Sequence, residues 1–145
     1  MMPGAIELVI VTPEKHLLRE KVAEVQMPGE SGYLGILPGH APLMTELGIG
    51  ELSYHDMGGK ESTHVAIVRG FAEVLPDRVT VLAETAERAE EIDLQRAKDA
   101  LARAEKRLAS NDPNIDWDRV NIALQRALIR IQVATKRRSA LVSGS

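Results

Sequence analysis

The sequence predicts an N-terminal antiparallel β-sandwich followed by a C-terminal antiparallel hairpin of two α-helices. Up to about residue 84, apolar residues recur with a period of two in short runs, which is the spacing of half-buried strands. Beyond that point the composition changes to Ala, Glu, Arg and Leu, and the apolar spacing changes to three and four. We therefore expect a β domain over 1–84, a linker over 85–92, a helical hairpin over 93–138 and a flexible tail over 139–145.

Six short runs in the first part are predicted as strands, because each alternates apolar and polar residues. The segments between them, such as TPEK, PGESG, DMGGKES and PDR, have the composition of turns. Many short strands at this spacing are typical of a sandwich or a barrel. The predicted strands span 6–12, 21–27, 50–55, 63–69, 71–75 and 78–83.

Two helices are predicted in the second part, each with one apolar seam at heptad spacing. The segment SNDPN separates them, and Asp116 is a good N-cap for the second helix. The predicted seam comprises Leu94, Ala97, Leu101, Ala104 and Leu108, then Trp117, Val120, Leu124, Ala127, Ile131 and Ala134. Its alanines bury little area, at about 0.8 kcal/mol per CH₂ group, so the hairpin is expected to be marginal alone. It is either a permanently docked appendage or an arm that leaves one partner for another.

The composition excludes several classes of function. The chain has 145 residues, a formal net charge of −3 and no cysteine, which argues against a general nucleic-acid binder and excludes disulfides and thiolate metal sites. The histidines have no metal-ligand spacing, no nucleophile elbow is present, and the Gly-Lys pair in DMGGKES lacks the rest of a P-loop. We therefore expect no catalytic site, no metal, no signal peptide and no membrane span.

Arginines recur on one face of each predicted helix. Arg96, Arg103 and Arg107 share a face of the first helix through spacings of seven and four. If the hairpin turns near residue 112 or 113, residues whose numbers add to about 225 lie side by side, and the two arginine faces meet. Converging cations repel each other unless an anion lies between them. The face is either a solvated surface balanced by acidic residues or a site for a polyphosphate or an acidic partner. On the second helix the arginines are Arg119, Arg126, Arg130 and Arg137.

Three motifs in one order resemble a known family. They are GYLGILPGHAPL early in the chain, RGFAEVLPDRVTVLAETAERAEEID across the change of period, and IDLQRA at the start of the hairpin. Over essentially its whole length the chain resembles the epsilon subunit of bacterial F-type ATP synthases, the counterpart of mitochondrial delta. The first two motifs together are highly specific, whereas the third alone is weak.

The resemblance implies a non-catalytic rotor subunit of a proton-translocating motor that needs no cofactor. In this family the sandwich lies at the foot of the central stalk, bound to the gamma subunit and to loops of the c-ring. The hairpin either folds down or extends along gamma to the alpha and beta subunits, where it blocks ATP hydrolysis. In some bacterial members ATP holds it down. The protein is then peripheral, at the cytoplasmic face of the cell membrane, and associates with the membrane only through the complex.

The resemblance also implies site residues. The c-ring contacts fall at Glu30, Tyr33, Leu34 and His40, where Tyr33 departs from the acidic residue often found there. Arg69 replaces a common glycine of the Gly-Gly-Phe pattern. ATP as a regulatory ligand is implied by the motif formed by Ile92, Asp93, Arg96 and Ala97, together with Glu87, Arg103, Arg119, Arg126 and Arg130.

Two other classes of function are alternatives to a rotor subunit. The first is a free-standing adaptor or chaperone-like module, whose β domain holds one client while the hairpin grips another. The second is a nucleic-acid binder that uses the arginine faces, which the negative charge and the scarcity of aromatic residues disfavour.

Overall fold

The computed structural model describes residues 4–143, with side chains up to Lys136. The chain divides into two units, Met1–Arg88 and Ala89–Ser145. The first unit consists of β-strands and the second of helices, which confirms the predicted fold class.

Seven strands form one sheet in the order β2-β1-β7-β6-β5-β3-β4. The neighbouring strands pair antiparallel, as predicted, except that β1 pairs with β7 in parallel. The parallel pairing joins the first strand of the domain to the last, a long-range contact that no local pattern in the sequence encodes. The strands are β1 Ile6–Val11, β2 His16–Val22, β3 Glu24–Gly29, β4 Gly32–Ile36, β5 Leu43–His55, β6 Ser62–Leu75 and β7 Arg78–Arg88.

Several predicted strand limits are corrected. The run 21–27 spans two strands, because the strand is interrupted at Ala23, whose N–H donates to the His55 carbonyl at 2.9 Å. β5 begins at Leu43 rather than at residue 50, since Gly48 and Gly50 lie within the strand. The glycine-rich β4 was not predicted, and the charged β2 was predicted only at its last two residues. Neither strand alternates apolar and polar residues.

The runs 63–69 and 71–75 belong to one strand, β6, which carries an irregularity at Arg69. Leu47 pairs with Gly70 and Ile49 with Val68, so Gly48 and Arg69 are skipped in the pairing of β5 with β6. The register between β6 and β7 passes over Arg69 and Glu84 in the same way. We call Gly48, Arg69 and Glu84 the kink line. It shifts the inward-facing positions by one residue in three adjacent strands.

The kink line has unusual backbone angles. Arg69 has φ +46 and Gly70 has φ +151, both in the left-handed range. A Cβ atom on Gly70 would collide with the carbonyl oxygen of Leu82, so only glycine fits there. Arg69 adopts the left-handed conformation with a side chain, which donates to the Glu84 carboxylate at 3.4 Å. The glycine of the family pattern at this position therefore has a conformational reason.

One apolar core lies between the two halves of the folded sheet. Every strand contributes residues to this core. The sheet therefore folds over on itself, so that its two halves cover the core from both sides. Tyr54 is among the core residues, and burial, followed by a hydrogen bond with Glu20, raises the pKa of its hydroxyl to about 12. The fully buried members include Ile10, Val22, Met27, Ile36, Leu52, Ile67 and Val81.

The β domain continues past residue 84 to the end of β7. Ala86 belongs to the core, and the Arg88 guanidinium donates to the Leu17 carbonyl oxygen at 2.8 Å. The segment 85–92, predicted as a linker, is occupied by the end of β7 and a 3-10 turn at Ala89–Glu91. The strand thus ends where its last side chain is anchored to β2.

The second unit contains the helices α1 Leu94–Ala109 and α2 Trp117–Ser143, which pack against each other. Asp93 and Asp116 cap their N-termini by accepting from the N–H groups of Arg96 and Arg119, each at 3.1 Å. The predicted seam is buried or half-buried except at Trp117, which is exposed. Trp117 lies in the first turn of α2, at the loop end of the hairpin beyond the last turn of α1.

Two features of α2 lie outside the prediction. Ile129 and Val133 are buried although neither belongs to the seam. The backbone of α2 is helical to Ser143, within the segment predicted as a flexible tail, and residues 144–145 lie outside the described residues. The guanidinium of Arg137 also lies outside the described side chains.

We predict that Arg69→Gly is more stable than Arg69→Ala by about 1 kcal/mol, because only glycine adopts a left-handed φ without strain. Both variants lose the ion pair with Glu84, so their difference isolates the backbone effect. Thermal melts of the two variants measure it. At Glu73, an exposed position on the same strand, the order should reverse, since glycine is ordinarily the less stable residue in a strand. Equal stability of the two Arg69 variants would contradict the backbone argument.

Candidate functional site

The residues predicted to contact a c-ring lie in one continuous segment, from Glu30 to His40. Glu30 is in the turn between β3 and β4, Tyr33 and Leu34 are on β4, and His40 is in the loop that leads to β5. Because β4 pairs only with β3, it forms one edge of the sheet. We call the segment 30–40 the docking edge.

The loop of the docking edge is held by backbone hydrogen bonds. The Gly39 N–H donates to the Pro76 carbonyl at 2.8 Å, and the His40 N–H donates to the Leu37 carbonyl at 3.2 Å. The Nδ1 atom of His40 lies 2.6 Å from the Ala41 carbonyl oxygen and therefore carries a proton. This ordered loop leaves the Leu37 side chain 60% exposed. An ordered backbone with an exposed apolar side chain is suited to contact with another protein.

Leu34 and Tyr33 occupy different environments, although both were predicted as contact residues. Leu34 is half-buried and packs against the core, so it supports the edge from within. Tyr33 is 62% exposed, yet its hydroxyl oxygen accepts a hydrogen bond from the Glu51 N–H of β5 at 3.1 Å. Tyr33 thus connects the edge strand to β5 and also presents an aromatic surface to solvent.

Two carboxyl groups meet beside the docking edge. The Glu30 N–H donates to the Glu46 carbonyl oxygen at 3.0 Å, which brings the two side chains together. A hydrogen bond between the carboxyl groups, followed by their mutual repulsion, raises the pKa of Glu46 above its usual range. A cationic group arriving at this pair would replace repulsion by attraction. Glu46 was not predicted as a site residue, because its proximity to Glu30 depends on the pairing of β3 with β5.

An apolar patch on the outer face of the sheet was also missed. Met44, Phe71 and Leu82 are each more than half exposed, at 66%, 51% and 53%. Phe71 is directly opposite Leu82 in the pairing of β6 with β7, and Met44 lies on the next strand, β5. We call these three residues the outer patch. Its signal in the sequence was an apolar residue at an outward position of each strand, which becomes visible only once the register is known.

The arginine face lies on the second unit. Arg96, Arg103 and Arg107 of α1 are exposed, as are Arg119 and Arg126 of α2, whereas Arg130 is half-buried. The heptad positions place all six on the same side of the seam. Among the described residues, the five exposed guanidinium groups form no ion pair.

The other residues predicted to bind ATP are divided among different roles. The Asp93 carboxylate caps α1, so one of its oxygens is occupied by the Arg96 N–H. Ala97 is fully buried in the helical seam, and Ile92 is half-buried just before α1. Glu87 lies on β7 and so belongs to the first unit. The residues of the motif therefore shape the start of α1 besides any contact with a ligand.

The described residues contain neither a metal-binding cluster nor a membrane-spanning helix. No group of three or more histidine, cysteine or carboxylate side chains within 4–136 is arranged to hold a metal ion. No helix in the described part of the chain has the length and apolarity needed to span a membrane.

Both units match models of one protein family. Residues 5–89 match "ATP synthase, Delta/Epsilon chain, beta-sandwich domain", and residues 90–135 match "ATP synthase, Delta/Epsilon chain, long alpha-helix domain". The boundary between the matches agrees with the change from strands to helices.

Curated relatives named "ATP synthase epsilon chain" are similar over nearly the whole chain. The protein of Solibacter usitatus is 49% identical over 94% of this chain and 100% of its own length. That of Syntrophobacter fumaroxidans is 50% identical over 93% of this chain and 99% of its own length.

A solved structure agrees with these relatives. A chain in the cryo-EM structure of Euglena gracilis mitochondrial ATP synthase, OSCP/F1/c-ring, superposes with a TM-score of 0.80 and 27% identity, over 93% of this chain and 84% of that chain. The family matches in both units and the full-length curated relatives lead to one assignment. This chain belongs to the ATP synthase epsilon family, as a non-catalytic subunit of the rotary enzyme's central stalk.

Proposed function

We propose that this subunit couples gamma to the c-ring during ATP synthesis and that its docking edge is the contact with the ring. The observation that carries this proposal is the ordered, apolar and exposed loop around Leu37, flanked by Tyr33 and His40. The carboxyl pair of Glu30 and Glu46 beside it adds negative charge, so the complementary ring loop is expected to carry a cation. Polar loops of a c-ring provide such a surface.

The outer patch is the proposed contact with gamma. Its three residues form an apolar group on a sheet face, and nearby Glu46, Glu73 and Glu84 are charged and exposed. An apolar centre with a charged rim is typical of protein interfaces. Gamma is the partner favoured by the resemblance, and the superposed structure is an assembly of F1 with a c-ring.

The helical unit is the proposed inhibitory arm. Its seam contains four alanines, so its helices are held together by little buried area. Its exposed arginines lack ionic partners among the described residues, which leaves them available to an acidic surface. When extended, the arm would present Arg119, Arg126, Arg130, Lys136, Arg137 and Arg138 to the alpha and beta subunits and block ATP hydrolysis.

ATP is the proposed regulatory ligand of the folded arm. A polyphosphate lying on the arginine face would neutralise the repulsion between Arg103 and Arg126 and so favour the folded hairpin. Arg96, Arg119 and Arg130 would contribute to the same field, while Glu87 or Asp93 would contact the base or the sugar. No other cofactor is proposed.

The protein is proposed to act at the cytoplasmic face of the cell membrane, attached through its partners rather than by a span of its own. The free-standing adaptor is not favoured, because both units match the same ATP synthase family and the curated relatives match at full length. A nucleic-acid partner has no support from the comparisons.

The first prediction concerns the docking edge. Leu37→Asp should weaken binding to an ATP synthase depleted of this subunit by at least about tenfold, since it places a charge in a packed interface. Leu34 is unsuitable for this test because it also packs against the core. Binding is measured by titration and by recovery of proton-coupled ATP synthesis. Met57→Asp, at another exposed apolar side chain, is the matched control. Full synthesis with Leu37→Asp would exclude the loop as the ring contact.

The second prediction concerns the arm. A chain ending after Arg88 should raise ATP hydrolysis by the assembled enzyme while leaving assembly intact, because the truncation removes the proposed inhibitor. The β domain should still melt cooperatively, since Ala86 and Arg88 keep their contacts with the core and with Leu17. Circular dichroism of the truncated chain is the control. Unchanged hydrolysis in a correctly assembled enzyme would make the arm purely structural.

The third prediction concerns ATP. At about a hundred times its dissociation constant, ATP should stabilise the folded arm by roughly 2.7 kcal/mol and raise its melting temperature. The pair of changes Arg103→Ala and Arg126→Ala should abolish this rise, which should also diminish with salt. Changing Lys98 and Lys106 to Ala removes the same charge from the other side of α1 and should leave the rise intact. No shift in the wild type at millimolar ATP would refute nucleotide sensing.

A further inference from the structure

We propose that Tyr33 is the positioning residue of the docking edge: its hydroxyl fastens the edge strand β4 to β5, across β3, before a partner binds. The inference rests on the proposed contact of this edge with the c-ring and adds how the edge keeps its shape. Its starting point is the hydroxyl of Tyr33, which is used within the subunit, where it accepts a hydrogen bond from the Glu51 N–H.

The hydrogen bond of Tyr33 lies at a gap in the sheet. β3 and β5 pair through Gln26 with Ser53 and again through Gly29 with Leu47, with a shift in register between them. The residues 48–52 of β5 therefore have no paired residue on β3. The Glu51 N–H lies in this gap and donates to the Tyr33 hydroxyl at 3.1 Å. The side chain of an edge strand thus supplies the acceptor that the neighbouring strand does not.

The side chain of Tyr33 packs closely over Gly50, beside Pro28. A Cβ atom on Gly50 would lie 2.9 Å from the Tyr33 hydroxyl oxygen and 2.6 Å from Cβ of Pro28. Both distances are shorter than carbon atoms tolerate, so a side chain at position 50 would displace the ring. Pro28 is also the residue directly paired with Tyr33. Gly50, Pro28 and Tyr33 therefore form one packed contact across three strands.

Without the hydrogen bond of Tyr33, the edge strand β4 is weakly attached to the sheet. β4 has five residues, includes two glycines and pairs on one side only. Pro28, opposite Tyr33, has no N–H to donate to the ladder. A strand attached so weakly would open locally, and a partner would have to order it on binding. With the hydroxyl in place, the edge is already ordered, while the outer face of the ring stays exposed.

The test uses Tyr33→Phe, which removes the hydroxyl and keeps the ring. Hydrogen exchange of the full chain should accelerate at the Glu51 amide and along β4 by about five- to tenfold, as expected for the loss of one hydrogen bond. Binding to an ATP synthase depleted of this subunit should weaken by a similar factor, mainly through slower association. Ser62→Ala removes the Ser62 hydroxyl at the far end of the β5–β6 hairpin, and should change neither measurement.

A second variant distinguishes positioning from direct contact. Tyr33→Leu removes both hydroxyl and ring and should bind at least as weakly as Tyr33→Phe. If Tyr33→Phe binds like the wild type and only Tyr33→Leu is weak, the ring itself touches the partner and the inference is overturned. Wild-type exchange at Glu51 in Tyr33→Phe overturns it too. If Leu37→Asp binds normally, the proposed docking edge fails, whatever the exchange at Glu51 shows.

Discussion

The kink line through Gly48, Arg69 and Glu84 is the constraint on which the β domain depends. At this line the pairing skips one residue in each of three adjacent strands without a change of register, and the buried positions change phase. Strands longer than ten residues would otherwise extend past the core that they enclose, and the irregularity lets them bend while their apolar residues still point inward. The close approach of Gly70 to Leu82 follows from this bend. The outer patch follows as well, because the shift in phase decides which face Phe71 and Leu82 occupy.

Much of the fold was predictable from periodicity, and the errors of that prediction have a common cause. The change from a period of two to spacings of three and four separated strands from helices at nearly the right place. The same method divided β6 into two strands, because the shift in phase at Arg69 resembles the end of a strand. β4 was invisible because its glycines carry no pattern. Periodicity records which face a residue occupies but does not record which strand lies beside it.

The site was predictable to the same extent. The family motif predicted four contact residues, which the structure places along one edge, and helix geometry alone predicted that the arginines share one face. The pairing of Glu46 with Glu30 and of Tyr33 with Glu51 depends on strands that are distant in sequence. The resemblance identified Tyr33 as a departure, and only the contact with β5 gave that departure a physical role.

The two units rely on different kinds of stability. The β domain has a core of large aliphatic side chains from every strand, with backbone anchors at both ends of its exposed loop. The helical unit has a seam in which alanine alternates with larger residues, and a face on which five exposed arginines form no ion pair among the described residues. The proposed role as a foot of the rotor would benefit from the first kind of packing. The proposed role as an arm that changes partners would benefit from the second.

The parallel pairing of β1 with β7 has a consequence for synthesis on the ribosome. Glu7 to Val11 align with Arg78 to Leu82, so the first strand acquires this neighbour only after most of the β domain has been translated. At about 5–20 residues per second, the β1–β2 hairpin waits several seconds with one edge of β1 unpaired. The nascent domain therefore folds late and all at once, and exposure of this edge to chaperones ends when β7 leaves the exit tunnel.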